Sequence, residues 1–467
     1  MKRAVVLGGL QAWRDGLATA GVETVPEVGR ETPELVVAPA RLASQALGLR
    51  PEMVVLEDGR LRAPRARDWS ERVLLLLPDL ERPELLLPAG AGDAVRYAVR
   101  HWRGGGRAVR SARNVIAAEL LAHGIVPPGR SATTVASWTT APPFFVASAL
   151  EALPVDDVDW FAAFGRWADA STRGAFYLFA PGEAEPGWVV KFARVPGLRR
   201  LFDEDEQGLR VVERAGVIAA AHAPQLVERF ETGGLEASIE TAAIGSRLSE
   251  VLRSPRRSRD RVTVLERIAA WIVELARETS SPPDKLEPEL RRLAADVVPR
   301  WTQHGLPRSL VDDLPPLGAV LQHGDLWAEN IFVGPHHFTV IDWELVQAHG
   351  MPLWDLFYFL TDALAIVAGV GSEKEREEHF VRLWRGELPS SKLLFRWTRV
   401  TVEASGIPPE AVGPVATLLW LSHALRDVAR SDRRDESPHA IEPSTLRFAR
   451  RWLSEPALGY EWNRWRS

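Results

Sequence analysis

Apolar and polar positions along the chain fall into three regimes. Up to about residue 150, short apolar runs recur: AVVLG (4–8), ELVVA (34–38), MVVLE (53–57), VLLLLP (73–78) and ELLLP (84–88). Each is strand-sized, and connecting segments separate them, so the pattern predicts an α/β layer with some parallel pairing. The stretch Asp93 to His123 reads as helical, interrupted by Gly104, Gly105 and Gly106. The proline-rich segment from Pro127 to Pro154 reads as a connection to the next domain.

From about 155 to 245 the pattern changes. AFYLFA (175–180) and WVVKFA (188–193) flank the turn-rich PGEAEPG, which predicts a hairpin. A polar helix over about Asp203 to Ala215 follows, then strands near QLVERFE (225–231) and LEASIETAAI (235–244). These strands, with the one helix among them, make a small, mostly antiparallel sheet. From 246 onward the chain is mostly helical. In residues 261–277 the apolar positions Val264, Ile268, Trp271, Ile272 and Leu275 form one stripe of an amphipathic helix. A short β interlude is expected at 331–342. The expected domains are therefore 1–150, 151–245 and 246–467.

Composition narrows the classes. With 467 residues, 46% hydrophobic and 25% charged, the chain reads as an ordinary globular protein of several domains. It contains no cysteine, which excludes disulfides, thiolate nucleophiles and cysteine zinc sites. The opening MKRAVVLGGLQAWRDG is broken by Gly8, Gly9, Gln11 and Arg14, so a first strand is expected there rather than a leader. Gly8-Gly9 lacks the spaced glycines of a dinucleotide fingerprint and reads as a tight strand-to-helix turn. No apolar window reaches membrane-spanning length. A net charge of −5 calls for no nucleic acid, and Arg253, Arg256, Arg257, Arg259 and Arg261 form a local solvated cluster. A cytoplasmic protein without a membrane partner is expected. The 57 basic residues include only five lysines, so a lysine in an apolar setting stands out.

The chemistry concentrates in HGDLWAEN (323–330), followed by IFV (331–333) and TVIDWE (339–344). An apolar run delivers His323-Gly324-Asp325 into a loop. Asn330 follows five residues later, just before a strand, and a second strand presents Asp342 at its end. The short turn GPHH brings Asn330 and Asp342 near one another. Two such oxygens can hold Mg²⁺, a hard cation that prefers carboxylate, amide and phosphate oxygens. Asp325 is then poised to accept the proton of an attacking hydroxyl. One carboxylate for the nucleophile, with one Asn and one Asp for metal, is the logic of phosphoryl transfer.

These motifs, with Gly350, Pro352 and Asp355 in GMPLWDLFYFL, resemble the aminoglycoside phosphotransferase and choline kinase family, which shares the protein-kinase fold. The resemblance covers about residues 155–430 and is most specific in 320–360. After the α/β N-terminal domain read from the apolar runs, a Rossmann-like layer, it implies a two-lobed α+β kinase-like domain with a mostly helical C-lobe. It implies ATP and Mg²⁺ as cofactors and a small-molecule hydroxyl as substrate. Asp325 matches the catalytic aspartate, and Asn330 and Asp342 the magnesium ligands. His323 matches the histidine that braces the loop, and Asp355 a buried aspartate that accepts hydrogen bonds from the loop's backbone. Lys191 in WVVKF resembles the kinase lysine that touches the nucleotide phosphates, since a buried lysine is costly without an anionic partner. Among Asp203, Glu204, Asp205 and Glu206, helical spacing from Leu209 favours Glu206 as its partner, with Asp205 second.

The phosphate-covering loop departs from the family. Only Gly174 is present near 169–174, with Ser171, Thr172 and Arg173 as alternative donors. Backbone groups near Glu240 to Ala243 are expected to hold adenine. Candidate acceptor-lining residues are Asp362, Trp384, Trp397, Glu403, Trp420, His423 and Asp427. Two rival readings stand beside the small-molecule kinase. One is an enzyme acting on polypeptides, disfavoured by the short interval from Asp342 to Asp355 and the absence of an Ala-Pro-Glu segment. The other is a non-catalytic nucleotide-binding or scaffold protein, disfavoured by the joint presence of Lys191, Asp325, Asn330 and Asp342.

Overall fold

The computed structural model describes residues 3–6, 23–24, 35–39, 42, 53–57, 70–77, 84–101, 116, 119–125, 132–137, 144–164, 173–254, 258–432, 444–455, 457–459 and 462–466. Gly8-Gly9, Gly104 to Gly106, Ser171, Thr172, Arg256 and Arg257 lie outside the described residues. The chain forms two compact units. One comprises residues 1–203 and 225–242, the other 204–224 and 243–467.

The first unit is built on a twelve-stranded sheet. Its strands are β1 (Arg3–Val6), β2 (Glu23–Thr24), β3 (Leu35–Pro39), β4 (Met53–Glu57), β5 (Ser70–Leu77), β6 (Leu85–Pro88), β7 (Ala132–Ser137), β8 (Asp159–Phe164), β9 (Gly174–Phe179), β10 (Trp188–Phe192), β11 (Leu226–Thr232) and β12 (Leu235–Thr241). The order is β11-β12-β10-β9-β8-β6-β5-β7-β4-β3-β1-β2. Parallel pairing is confined to β1 with β2 and β3, and β3 with β4; the other neighbours are antiparallel. The first two sequence segments thus share one sheet rather than separating near residue 150. Leu85 and Leu86 of β6 pair with Ala163 and Ala162 of β8 and close the seam. The segment expected as a linker supplies β7, inserted between β4 and β5. Its strand-forming Thr133-Thr134-Val135 core was masked by flanking prolines.

Both faces of this sheet are covered where β8 and β9 run. Helices α1 (Gly92–His101) and α2 (Phe144–Leu150) supply the covers. Trp160 and Ala162 of β8 pack in the cluster with Phe145, Val146 and Ala149 of α2, whereas Phe161 packs with Ala94, Tyr97 and Ala98 of α1. Side chains alternate across a strand, so two buried faces demand an unbroken apolar run, and WFAAF, after the exposed Asp159, is one.

Helix α3 (Arg199–Arg214) passes from the first unit to the second at Asp203. The second unit continues with α4 (Val217–Ala220), α5 (Leu248–Arg253), α6 (Ser258–Glu278), α7 (Glu287–Asp296), α8 (Val298–Trp301), α9 (Trp354–Val367), α10 (Glu373–Trp384), α11 (Ser391–Ser405), α12 (Val412–Asp432) and α13 (Ser444–Ser454). Of the stripe read from the sequence of α6, Ile268, Trp271, Ile272 and Leu275 are buried, whereas Val264 is only half-buried and its neighbour Leu265 is the one in the core. Short strands β13 (Ser246–Arg247), β15 (Ile331–Val333) and β16 (Phe338–Val340) form one small sheet, and β14 (Val320–Gln322) with β17 (Gln347–Gly350) another. Trp384, Trp420, Trp452 and Phe380 are fully buried in edge-to-face contacts that tie α10, α12 and α13 together. Trp384 and Trp420 therefore serve the core rather than an acceptor surface. No helix among the described residues is long and apolar enough to cross a membrane.

Gly208 in α3 has a packing reason. A Cβ built there would stand 2.2 Å from the carbonyl oxygen of Trp343, so only glycine lets the helix lie on the backbone that follows Asp342. Alanine in a helix interior normally gains about 1 kcal/mol over glycine. Gly208→Ala is expected to do the reverse, lowering the melting temperature because backbone must move. Thermal denaturation checks this; a stabilised variant would show that the contact is slack.

Candidate active site

Strand β14 delivers His323-Gly324-Asp325 into a loop, and the hairpin β15–β16 takes the chain back. The register Ile331↔Val340 and the bond from the Ile341 N–H to the Asn330 carbonyl (2.9 Å) put Asn330 and Asp342 at one end of that hairpin. Asp342 has φ 63°, in the left-handed region that Asp tolerates better than most residues. Such backbone persists where its surroundings over-determine it, and it turns Asp342 out of β16 into the start of a tight turn.

Three interactions shape the loop. Asp355, buried in the first turn of α9, accepts the His323 N–H at 2.6 Å and the Gly324 N–H at 3.0 Å. Burial pushes its carboxyl upward; His323 and the two N–H groups pull it back, and the charge of Asp325 adds to the rise. The His323 ring is fully buried. Its Nδ1 accepts the Asp325 N–H (3.1 Å), so Nε2 carries the proton and donates to the Ile341 carbonyl (2.9 Å). The ring thereby links the loop to the residue before Asp342. Asn330 Nδ2 donates to the Asp325 carbonyl (3.0 Å), which leaves the amide oxygen of Asn330 for another partner. Gly324 has φ 81°, and a Cβ there would meet the Leu345 carbonyl at 2.8 Å. The glycine of HGD is thus required twice over.

The Asp325 carboxylate has a partner that the sequence reading missed. Arg426 of α12 reaches it with Nη2 (2.8 Å) and reaches the Gly324 carbonyl with Nη1 (2.8 Å). Arg426 lies a hundred residues downstream, in a chain whose basic positions are nearly all arginine, so nothing local marked it.

Lys191 lies on β10 and forms an ion pair with Glu240 of β12 at 2.8 Å, both side chains largely buried. Lys191 is opposite Ser238, so Glu240 is its diagonal neighbour on the same face of the sheet. Glu206 forms an ion pair with Arg210 one turn along its own helix at 2.6 Å. Glu206 is half-buried, whereas Asp205, the second candidate, is 2% exposed and is the inward acid of α3. Gly174 starts β9 opposite Phe192, whose ring fills the space a Cβ would take, and most of the expected phosphate-covering loop before it lies outside the described residues. Arg173 stacks on the Phe202 ring. The expected adenine linker, Glu240 to Ala243, coincides with the end of β12 and the passage between units at Ala242.

Of the proposed acceptor-lining residues, Glu403 is exposed, Asp427 accepts the Thr445 hydroxyl (2.7 Å) and His423 is buried against Arg426. Asp362 of α9 accepts the Ala328 N–H, from inside the loop that carries Asp325, at 3.0 Å. Burial pushes its carboxyl up to about 6, against the pull of that N–H and of Arg376 and Arg253. A carboxyl raised on folding contributes stability below its unfolded value that is lost as pH rises through its folded value. Wild-type stability is therefore expected to decline between about pH 4 and pH 6. Asp362→Asn keeps an acceptor for Ala328 but cannot ionise, so relative to wild type it gains on the order of 2–3 kcal/mol between pH 4 and 8. Denaturant melts across that range check this; parallel curves for the two proteins would contradict it.

The model of the phosphotransferase enzyme family matches residues 126–387. No curated protein matches the chain. Among solved structures, the chain is similar to an aminoglycoside phosphotransferase from Streptomyces rimosus in complex with ADP and streptomycin, at 16% identity over 50% of this chain and 84% of that one, TM-score 0.29. It is similar to a glucosamine kinase in complex with glucosamine, ADP and inorganic phosphate, at 14% identity over 63% and 82%, TM-score 0.33. It is also similar to a choline kinase from Cryptosporidium parvum, at 13% identity over 63% and 87%, TM-score 0.34. The family match spans more than half of the 467 residues and contains every element of the loop and hairpin just described, and on it the chain belongs to the phosphotransferase enzyme family.

Proposed function

We propose that this protein transfers the γ-phosphoryl group of ATP, with Mg²⁺, to a hydroxyl of a small molecule of the sugar, aminoglycoside or amino-alcohol type. One observation carries the reading: a single braced loop holds Asp325, while the paired hairpin beside it puts Asn330 and Asp342 at the same end.

The donor set fits magnesium. Asn330 offers an amide oxygen, its nitrogen being committed to the Asp325 carbonyl, and Asp342 offers a carboxylate. No cluster of three or more His, Cys, Asp or Glu among the described residues could hold a metal by itself. Two protein oxygens are what magnesium takes when nucleotide phosphates complete its shell. Bound there, it would neutralise charge on the β- and γ-phosphates.

The chain's own residues do the rest. Asp325 accepts the proton of the acceptor hydroxyl as the new oxygen–phosphorus bond forms and the bond to the β-phosphate oxygen breaks, releasing ADP. His323 and Asp355 fix the loop backbone so that this carboxylate meets the hydroxyl without searching. Lys191 is the cation for the nucleotide phosphates, with Glu240 holding its ammonium in place. The neighbours' acceptors define the panel for a first test. Purified protein with Mg-ATP and streptomycin, glucosamine, choline or related hydroxyl compounds should release ADP only when an acceptor is present. No acceptor-dependent ADP from any compound, together with no stabilisation by Mg-ATP, would count against the reading.

A further inference from the structure

The family match ends at residue 387, yet the catalytic loop is held by a residue beyond it. Within the loop, Leu326, Trp327, Ala328 and Glu329 separate Asp325 from Asn330, and none is a cation. Positive charge arrives from α12. The Arg426 guanidinium spans two consecutive loop residues: Nη1 bonds the Gly324 carbonyl and Nη2 bonds Asp325 Oδ1, each at 2.8 Å. A planar fork with donors in fixed relation locks backbone and side chain together, which a freely rotating ammonium cannot do.

Arg426 is itself held. His423, one turn earlier on α12 and 1% exposed, lies with Nδ1 2.6 Å from Arg426 Nη2. Arginine only donates, so this nitrogen is the acceptor and is unprotonated. The imidazole packs at 4.0 Å against the Tyr358 ring and at 6.0 Å from Trp354, both on α9. α9 also carries Asp355, which holds the same loop from its other side. Asp325 Oδ1 is thus occupied, and among the described residues no hydrogen bond is made to Oδ2.

We infer that Arg426, oriented by His423, is a positioning residue for the catalytic carboxylate: it fixes the Asp325 rotamer by taking Oδ1 and leaves Oδ2 as the oxygen that receives the acceptor's proton. This rests on the phosphotransfer reading above. It assigns a role to α12, a helix that the family match does not reach.

The test compares full-length wild type, Arg426→Ala, Arg426→Lys, His423→Leu and Asp325→Asn, with Mg-ATP and whichever panel compound wild type turns over fastest. Arg426→Ala should lose about 10²-fold in kcat, the scale of a misplaced catalytic group. Its KM for ATP and its Mg-ADP affinity should stay within about threefold of wild type. Arg426→Lys should recover only part of the loss, and His423→Leu should show a smaller loss of the same kind. Added guanidinium ion should restore part of the activity of Arg426→Ala and none of that of Asp325→Asn, a rescue that a purely structural role would not give. Unchanged kcat in Arg426→Ala, or a loss that guanidinium does not restore, overturns the inference. If Arg426→Ala fails to fold, full activity in both Arg426→Lys and His423→Leu overturns it instead. Wild type inactive on every acceptor is failure of the phosphotransfer reading; active wild type with an equally active Arg426→Ala is failure of this inference alone.

Discussion

Asp325→Asn is expected to lower turnover by about 10²- to 10⁴-fold, the range a positioned proton acceptor contributes. The substitution is nearly isosteric, and its amide oxygen can still accept from Arg426, so the loop should keep its shape. The backbone ties are untouched: the Asp325 N–H to His323 and its carbonyl to Asn330 do not involve the side chain. Stability and Mg-ATP binding should therefore match wild type while kcat collapses. Steady-state kinetics beside a thermal melt in Mg-ATP separates the two. Loss of binding along with activity would mean that Asp325 serves the nucleotide rather than the acceptor.

Asp355→Ala is expected to have the largest effect on stability in this region. The carboxylate accepts two backbone N–H groups inside the protein, from His323 and Gly324. Removing it leaves both donors buried without partners, at about 1–3 kcal/mol each. The relief of burying a carboxyl whose charged form is disfavoured offsets part of that. A net loss of roughly 2–5 kcal/mol follows, or about 5–15 °C in melting temperature. Turnover should fall as well, since the loop that presents Asp325 loses its anchor on α9. Asp355→Asn should be no better, because its amide keeps one acceptor and turns a donor toward the second N–H. Melting curves and kcat for both variants check this; a stable, active Asp355→Ala would show that the loop is held without it.

The site was legible where its geometry is local. His323, Asp325, Asn330 and Asp342 fall within twenty residues, and a strand–loop–hairpin of fixed lengths converts their spacing into proximity. Asp355 follows 13 residues after Asp342, past the short strand β17 and in the first turn of α9. What the sequence hid was non-local or carried no distinctive residue type. Arg426 is one arginine among many, and its relation to Asp325 exists only once α12 packs. Glu240 escaped notice because only the sheet register brings it beside Lys191, two positions from the directly opposite residue. At Gly174 the packing that requires glycine is invisible in the sequence, because the Phe192 ring that fills the space of a Cβ sits on the neighbouring strand. The same holds for the fold. The amphipathic stripe of α6 and the antiparallel strands from β8 to β12 follow from periodicity. The continuity of all twelve strands in one sheet depends on a seam between β6 and β8 that periodicity does not encode.

The central claim is that Asp325 directs a phosphoryl group onto a small-molecule hydroxyl. Its most direct test incubates the protein with Mg-ATP and a metabolite extract and follows the extract by mass spectrometry, with Asp325→Asn in parallel. The account predicts at least one metabolite that gains the mass of a phosphate with wild type and not with the variant. No phosphate-bearing product, or the same product with both proteins, would contradict it.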